Sequence, residues 1–459
     1  MDANNQCRER ERAGMFEKIL LPTDFSGYSE KTVEFVAKIP GVTEVILVHI
    51  REKERPDNPA WMSGPERESA LERVQRLLQK NRIYLEERSI EVRDVVMDAD
   101  EDDIATCILD SAKKEGVELI LIGARGKGIM HEILLGSVSE NVLNEASCDV
   151  LITRYDALPM EKERSGNSTG QSGQEIFEKV LCPVDFSRPS EESLRRIAEI
   201  DGVQEVLLLH VISEAGDQKE LENIMRTSYR KLQNYGRMLD NGKLSIKIML
   251  RFGNPVQEIC DFALKENVSI ILVSRHGACD YLHNVPIGST ATEVVKKAKK
   301  PVLVKYSRVE PLVTSRELSP REFHLAEEIW RNYRQQRADT KKERIFGLFL
   351  DDMLVSVARC TTREDASEID GVFTLEEFRK KGYSYRVIGT LIKSFPETVL
   401  YLYSTPELVD FYAEFGFVPA DVKDLPESVR MRYGFALTEL EGTVVKAMKR
   451  TPAPFKPHI

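Results

Sequence analysis

The chain contains the same segment twice. Residues 16–50 read FEKILLPTDFSGYSEKTVEFVAKIPGVTEVILVHI, and residues 177–211 read FEKVLCPVDFSRPSEESLRRIAEIDGVQEVLLLHV. At an offset of 161 residues, 18 of these 35 positions are identical without a gap. Self-similarity at a fixed offset makes the first two-thirds of the chain a tandem duplication, two structural units of one design. Between the copies, ERSGNSTGQSG (residues 163–173) has the composition of a flexible linker rather than of a core. The pattern stops after Lys305 and does not recur. The organisation read from this is a tail at 1–15, one copy at 16–155, a linker at 156–175, a second copy at 176–307 and a different segment at 308–459.

Each copy alternates short apolar runs with amphipathic ones. In the first, the pattern predicts strands at 19–22, 45–50, 90–97, 117–122 and 149–153. Helices are expected at 29–39, 66–86, 102–115 and near 137–146, with a charged stretch up to Pro65. Apolar strands such as ELILIG alternating with helices imply an open parallel sheet covered on both faces. Ligands on such sheets bind beyond the carboxyl ends of the strands. Those ends are the residues after Leu21, Val48 and Ile122.

After Ile122 comes GARGKGIMHEILLGSVSE, with Gly123, Gly126 and Gly136 followed by Ser137. Glycines let the backbone approach an anion, and the amides opening a helix point at phosphate oxygens. Arg125 and Lys127 add charge. With PTD (22–24), PVD (183–185), LVHI (47–50) and LLHV (208–211), this half resembles the universal stress protein family in two tandem copies. The resemblance implies a site for ATP or AMP in copy one. Asp24 and Ile50 would hold adenosine, and Gly123, Gly126, Gly136 and Ser137 the phosphates. The plainer reading of Asp24 is a cap on the first helix. Asp98 and Ala99 depart from the pattern, standing where copy two has Gly253 and Asn254.

Copy two keeps Asp185, Val211, Gly277, Gly288 and Ser289, but Ser274 replaces the first glycine and one extra residue enters the loop. It reads as a structural partner, packed with copy one as a pseudo-symmetric pair. His276, Cys279 and His283 offer three metal-like ligands without a fourth, so no metal is expected. His49 and His210, at equivalent positions and without a nucleophile elbow, read as structural.

The third segment opens with a capping box, Ser319-Pro-Arg-Glu322, starting a helix to about Arg337. Strands at 344–350 and 353–360 join at Asp351-Asp352 as a hairpin. A further strand, a basic glycine turn and a helix follow in GVFTLEEFRKKGYSYRVIGTLIKSF, then the strand VLYLYS, the helical PELVDFYAEFGF and a closing strand VVKAM. Arg379, Lys380, Lys381, Gly382, Tyr383 and Ser384, with the Tyr412–Gly416 spacing, make this segment resemble the GNAT N-acetyltransferases. That implies an α+β acyltransferase domain and acetyl-CoA as co-substrate, its pyrophosphate on the basic turn. Tyr412 matches the family's general acid, against a core aromatic as the bland reading. Glu368, 14 residues before Gly382, resembles in position the catalytic Glu of histone-acetylating members, while other members use ordered water and no carboxylate. It shares a strand face with Asp370 by period two, and a solvated strand-edge acid is the other reading. The acceptor is an amine, with protein lysine favoured and a small amine or amino acid open, and the stretch 421–440 is a candidate to shape its site.

Composition bounds the rest. A net charge of -10 and a pI near 5.5 argue against coating nucleic acid or an anionic membrane. No apolar run reaches the ~18–20 residues of a spanning helix, the start MDANNQCRERERAGMF is unlike a signal peptide, and seven scattered cysteines suit reduced thiols. The expectation is a cytoplasmic protein, with homodimerisation open. Two functions compete: an N-acetyltransferase regulated by adenine nucleotide, and a nucleotide sensor whose transferase fold binds acyl-CoA without turnover.

Overall fold

Ile19, Leu20 and Leu21 are consecutive and all wholly buried. Side chains alternate across a strand, so such a run needs both faces of its sheet covered. The computed structural model describes residues 16–52, 70–99, 103–124, 135–154, 176–214, 216–277, 287–307, 309–331, 338–439 and 445–452. They form two units, one ending at Val309 and one beginning at Glu310. The proposed linker and the N-terminal tail lie outside the described residues.

In the first copy, β1 (Lys18–Pro22), α1 (Gly27–Val36), β2 (Glu44–Glu52), α2 (Ala70–Glu86) and β3 (Glu91–Ala99) are followed by α3 (Ile104–Glu115), β4 (Leu119–Gly123), α4 (Ser137–Glu145) and β5 (Asp149–Thr153). The second copy repeats this order: β6 (Lys179–Pro183), α5 (Arg188–Arg195), β7 (Glu205–Ile212), α6 (Gln218–Leu239), β8 (Ser245–Phe252), α7 (Pro255–Lys265), β9 (Ile270–Ser274), α8 (Ser289–Lys297) and β10 (Val302–Lys305). Helix α1 ends three residues before the expected stop at 39, and β4 starts two residues late; both are end effects of turns. Within each copy the strands are parallel, in the order β3-β2-β1-β4-β5. The order reverses between β1 and β4, which makes their carboxyl ends the crevice of a doubly wound sheet.

The two sheets are not separate. Strand β5 pairs antiparallel with β10, so the copies share one ten-stranded sheet about a pseudo-twofold axis. Asp149 opens β5 and forms a buried ion pair with Lys305 while accepting the Tyr306 amide at 2.7 Å. Arg154 donates to the carbonyls of Val295 and Lys296, at the carboxyl end of α8. Arg275 donates to those of Asn144 and Ala146, at the carboxyl end of α4. Each copy thus caps a helix of the other with a guanidinium, where the helix dipole is negative. The expected pseudo-symmetric pair is present, joined by side chains from non-equivalent positions. Because removing one partner of a buried pair strands the other charge, Asp149→Ala should cost about 3–5 kcal/mol. The double change with Lys305→Met should recover much of that in denaturant unfolding of the full chain.

The second unit is a seven-stranded mixed sheet. Strand β11 (Val313–Glu317) precedes the capped turn at Ser319, where the Glu322 carboxylate accepts the Ser319 amide at 2.9 Å. Helix α9 (Phe323–Arg331) follows, and its expected continuation to Arg337 lies outside the described residues. Then come β12 (Glu343–Leu350), β13 (Met353–Thr362), β14 (Ser367–Thr374), α10 (Tyr383–Lys393), β15 (Leu400–Ser404), α11 (Val409–Ala413), β16 (Val418–Pro419), α12 (Glu427–Glu439) and β17 (Lys446–Arg450). Asp351 takes φ +50° at the anticipated hairpin. The order is β11-β12-β13-β14-β15-β17-β16, antiparallel except for β14 and β15. That parallel pairing covers only Ser367–Ile369 against Leu400–Leu402, although β14 runs on to Thr374. A register shift on β13 and Gly371 at φ +58° carry β14 away, so the two strands part there. Among the described residues, no helix is long and apolar enough to cross a membrane.

Candidate functional site

In the first unit the crevice is built by a turn that recurs in both copies. Phe25 and Phe186 have φ +55° and +65°, values that non-glycine residues rarely adopt. The strain is held from outside. The Nδ1–H of His49 donates to the Thr23 carbonyl at 2.8 Å, and its ring packs on Phe25 with centroids 4.4 Å apart. His210 does the same to Val184 and Phe186, at 2.7 and 4.3 Å. Burial pushes the His210 imidazole below its ordinary range. Both histidines therefore have the structural part expected of them.

Asp24 follows β1 and accepts the Ser26 amide at 2.9 Å, while Ser26 accepts Ser29 N–H and caps α1. The cap reading of Asp24 is therefore corrected by two residues: the left-handed Phe25 moves the cap to Ser26. Gly123 ends β4, and Gly136 stands at the N-cap of α4 with its amide on the Ala124 carbonyl at 2.9 Å. Ser139 donates to the Gly123 carbonyl at 2.8 Å, which ties strand end to helix start. Ser137, the exposed first helical residue, presents an amide with no partner inside its own helix. Ile50, part-buried near the end of β2, sits one strand from β1. Asp24, Gly123, Gly136 and Ser137 lie beyond the carboxyl ends of β1 and β4, at the switch point, where the Ser137 amide is a donor without an intrahelical partner. Gly126, Arg125 and Lys127 lie outside the described residues. Asp98 is held bidentate by Arg51, at 2.7 and 2.8 Å, and the strand register sets it opposite Arg51 as Phe252 is opposite Ile212. Its counterpart in copy two is therefore Phe252 and that of Ala99 is Gly253, one residue from the expected correspondence.

In copy two Gly288 caps α8 with its amide on Arg275, as Gly136 does on Ala124, and the Ser274 hydroxyl is spent on the His276 carbonyl at 3.0 Å. Cys279 and His283 lie outside the described residues; among those described, no three His, Cys, Asp or Glu side chains are grouped to hold a metal ion.

In the second unit the basic turn opens α10 as the motif required. Lys380 has φ +63° and Gly382 φ +75°, and a β-carbon at Gly382 would meet nothing within 4 Å. Two left-handed residues turn successive backbone amides to one side, the geometry of an anion nest, and the helix N-terminus adds its dipole. Arg379 is anchored by its Nε on the Thr374 carbonyl at 3.2 Å; Lys380 and Lys381 are exposed. Tyr383 and Ser384 form the first turn, whose amides lack intrahelical partners. This cradle fits a pyrophosphate.

Tyr412 lies on α11 and is 7% exposed, against Phe411 and Phe417 with ring centroids at 5.1 and 6.1 Å. Burial pushes its phenol up to about 12. Phe411 also meets Tyr385 of α10, at 6.5 Å, so aromatic contacts connect the cradle helix to Tyr412. Glu368 is wholly buried in a central strand, which removes the solvated strand-edge reading. It shares a face with Asp370, as period two required, because Arg432 of α12 meets both. Arg363 adds a second guanidinium to Glu368, at 3.2 Å, and Arg359 holds Asp370 bidentate. Burial pushes the Glu368 carboxyl up, with Arg432 and then Arg363 opposing it. The two arginine partners were missed from sequence; neither spacing nor periodicity signalled them.

Known proteins match this division. The universal stress protein family model covers residues 15–154 and 177–305, and the acetyltransferase (GNAT) family model covers 310–417. A universal stress protein of Methanocaldococcus jannaschii is 31% identical over 154 residues, covering 28% of this chain and 94% of that one. One of Mycolicibacterium smegmatis is 23% identical over 307 residues, covering 62% and 96%. The solved ribosomal-protein-S18-alanine N-acetyltransferase of Escherichia coli covers 32% of this chain and 99% of its own, at 13% identity and a TM-score of 0.25.

Proposed function

Since the chain belongs to the universal stress protein family through two tandem domains and ends in a GNAT acetyltransferase domain, we propose that it is an N-acetyltransferase taking acetyl from acetyl-CoA to an amine, regulated by adenine nucleotide. The observation that carries this reading is the left-handed Lys380/Gly382 turn at the start of α10, open where a β-carbon would stand.

Arg379, Lys380 and Lys381 supply charge, and the amides of Gly382, Tyr383 and Ser384 supply donors, for the pyrophosphate of acetyl-CoA. The acceptor nitrogen attacks the acetyl carbonyl; the new C–N bond forms as the C–S bond breaks. A proton leaves the nitrogen, and sulfur takes one as it departs. Tyr412, with its phenol near 12, is protonated at neutral pH and stands as the donor toward sulfur. An ordinary thiol titrates near about 8.5, so full transfer from this phenol is uphill. Its contribution is a hydrogen bond that strengthens as charge grows on sulfur. Glu368 is the carboxylate for the acceptor's proton. A protein lysine is the favoured acceptor, by analogy with GNAT modules joined to regulatory domains, and a small amine or amino acid is the other.

In the first copy, Asp24 and Ile50 would hold the adenosine, and Gly123, Gly126, Gly136 and Ser137 the phosphates, of ATP or AMP. Copy two serves as structural partner, its Ser274 hydroxyl already committed to the loop. A second reading, acyl-CoA binding without turnover, rests on the ion-paired state of Glu368.

Incubation of the full chain with labelled acetyl-CoA and a panel of proteins, peptides and amines tests the first reading. Label on an acceptor supports it, and binding without transfer across the panel supports the second. Gly382→Glu is the companion variant: it strains a φ of +75° and sets a carboxylate against the pyrophosphate. Acetyl-CoA affinity should fall at least about tenfold by calorimetry, and unchanged affinity would remove the cradle assignment.

A further inference from the structure

The face of the second sheet that carries Glu368 is closed by a balanced set of charges. Arg359, Arg363 and Arg432 stand against Glu343, Glu368 and Asp370. The three cations are not held alike. Arg359 is nearly buried, bidentate on Asp370 and stacked on Trp330 of α9. Arg363 belongs to the β13–β14 turn, fixed by its amide on the Ala366 carbonyl at 2.7 Å. Arg432 comes from α12, the segment inserted between β16 and β17, and its side chain is 43% exposed. Its Nη2 donates to Asp370 Oδ2 at 2.8 Å, but toward the buried acid its Nε stands 3.3 Å from Glu368 Oε1, and that oxygen, though wholly buried, accepts no hydrogen bond.

The helix bearing Arg432 is seated by its other residues, so the Arg432 side chain can leave without unseating it. Val429 and the preceding Leu425 are buried against Ala447 of β17, Ser428 is bonded to Asp365, and Tyr403 donates to the Val429 carbonyl. Met431, beside Arg432, is 65% exposed. Below it, β14 and β15 part after Ile369 and Leu402, at the level of Glu368 and Asp370. A buried carboxylate with an unfilled acceptor, at a strand opening, beneath a half-exposed cation on an inserted helix, is a place where one cation can be exchanged for another.

We propose that Arg432 occupies the acceptor's position, and that the acceptor is a primary alkylammonium which displaces the Arg432 guanidinium from Glu368 and Asp370. This deepens the transferase reading and rests on it for the chemistry that follows binding. An ammonium has three donors on one nitrogen, so it can fill Glu368 Oε1 and still reach Asp370 Oδ2. A carboxylic acceptor gains nothing here, because every guanidinium in the set is already balanced. With the ammonium in place of Arg432, Glu368 faces a cation that can give up a proton, which a guanidinium does not. Arg432 is thus a specificity and positioning residue, not a catalytic one.

The test compares the full-length wild type with Arg432→Ala and Arg432→Lys, using Nα-acetyl-lysine methylamide as probe and its Nε-acetylated, neutral counterpart as control. Calorimetry in the presence of CoA should give at least tenfold tighter binding of the ammonium probe to Arg432→Ala, with no gain for the neutral one. Arg432→Lys, which keeps the competing cation, should stay within threefold of wild type. Affinity of Arg432→Ala within twofold of wild type, or an equal gain for the neutral probe, overturns the proposal. Should the alanine variant not fold, Arg432→Gln keeps the aliphatic stem and takes its place. Acetyl transfer is read separately: tighter ammonium binding without release of CoA from acetyl-CoA leaves the exchange standing and ends the transferase reading. Transfer with unchanged ammonium affinity does the reverse.

Discussion

Tyr412→Phe is expected to lower acetyl transfer by about 10²–10³-fold, the usual cost of losing a hydrogen-bond donor to charge that develops in the transition state, while acetyl-CoA affinity hardly changes. The substitution keeps the ring, and with it the edge contacts to Phe411 and Phe417 that seat α11. Only the hydroxyl is lost. Because burial holds the phenol near 12, above its ordinary value of 10, the donor form persists to about that pH. Wild-type turnover should therefore show no alkaline fall from this group below about pH 11, where a phenol at its ordinary value would already have lost most of its proton. Steady-state rates across pH, with calorimetry for acetyl-CoA, check both statements. Turnover of the variant within about threefold of wild type would make Tyr412 a core aromatic.

What was legible in the sequence was what depends on near neighbours. The alternation of strand and helix, the capping box at Ser319 and Glu322, and the basic turn before α10 all follow from residues within a few positions of one another, and the duplication shows once the chain is compared with itself. The same holds for Glu368 and Asp370, whose shared face comes from the pleat alone. What covers that face does not. Arg363 is close in sequence, but Arg432 arrives from an inserted helix, and no periodicity links it to β14. The junction of the copies was hidden for a similar reason. Strands β5 and β10 are buried along their lengths, and nothing local in either says that they pair; Asp149 and Lys305, far apart in the chain, mark where they meet. Strand β11 escaped because VTSRE is an edge strand paired only with β12, its residues partly or fully exposed, so it lacks a buried run. The cap of α1 was misplaced because nothing local announces a left-handed phenylalanine. Its support is His49 on the neighbouring strand.

Adding ATP or AMP should change acetyl-CoA affinity or turnover by roughly 5–150-fold if the nucleotide regulates transfer, the range of an ordinary coupling free energy of about 1–3 kcal/mol. Reciprocity supplies an internal control: acetyl-CoA must shift nucleotide affinity by the same factor if the effect lies in binding. The variant that isolates the effect is Ser137→Glu. Ser137 is the exposed first residue of α4, where a carboxylate favours the helix dipole, so the fold should hold. The same charge opposes a phosphate drawn to the Ser137 amide at the start of α4. Nucleotide affinity should fall at least about tenfold by calorimetry, with the shift in transfer lost at matched nucleotide concentration and basal transfer unchanged. Gly126→Glu, in the loop between Gly123 and Gly136, should act in the same direction. The sign of the shift is not set by these residues; its size and its loss in the variant are. Nucleotide that binds copy one while transfer and acetyl-CoA affinity stay flat would make the stress-protein pair and the transferase uncoupled neighbours on one chain.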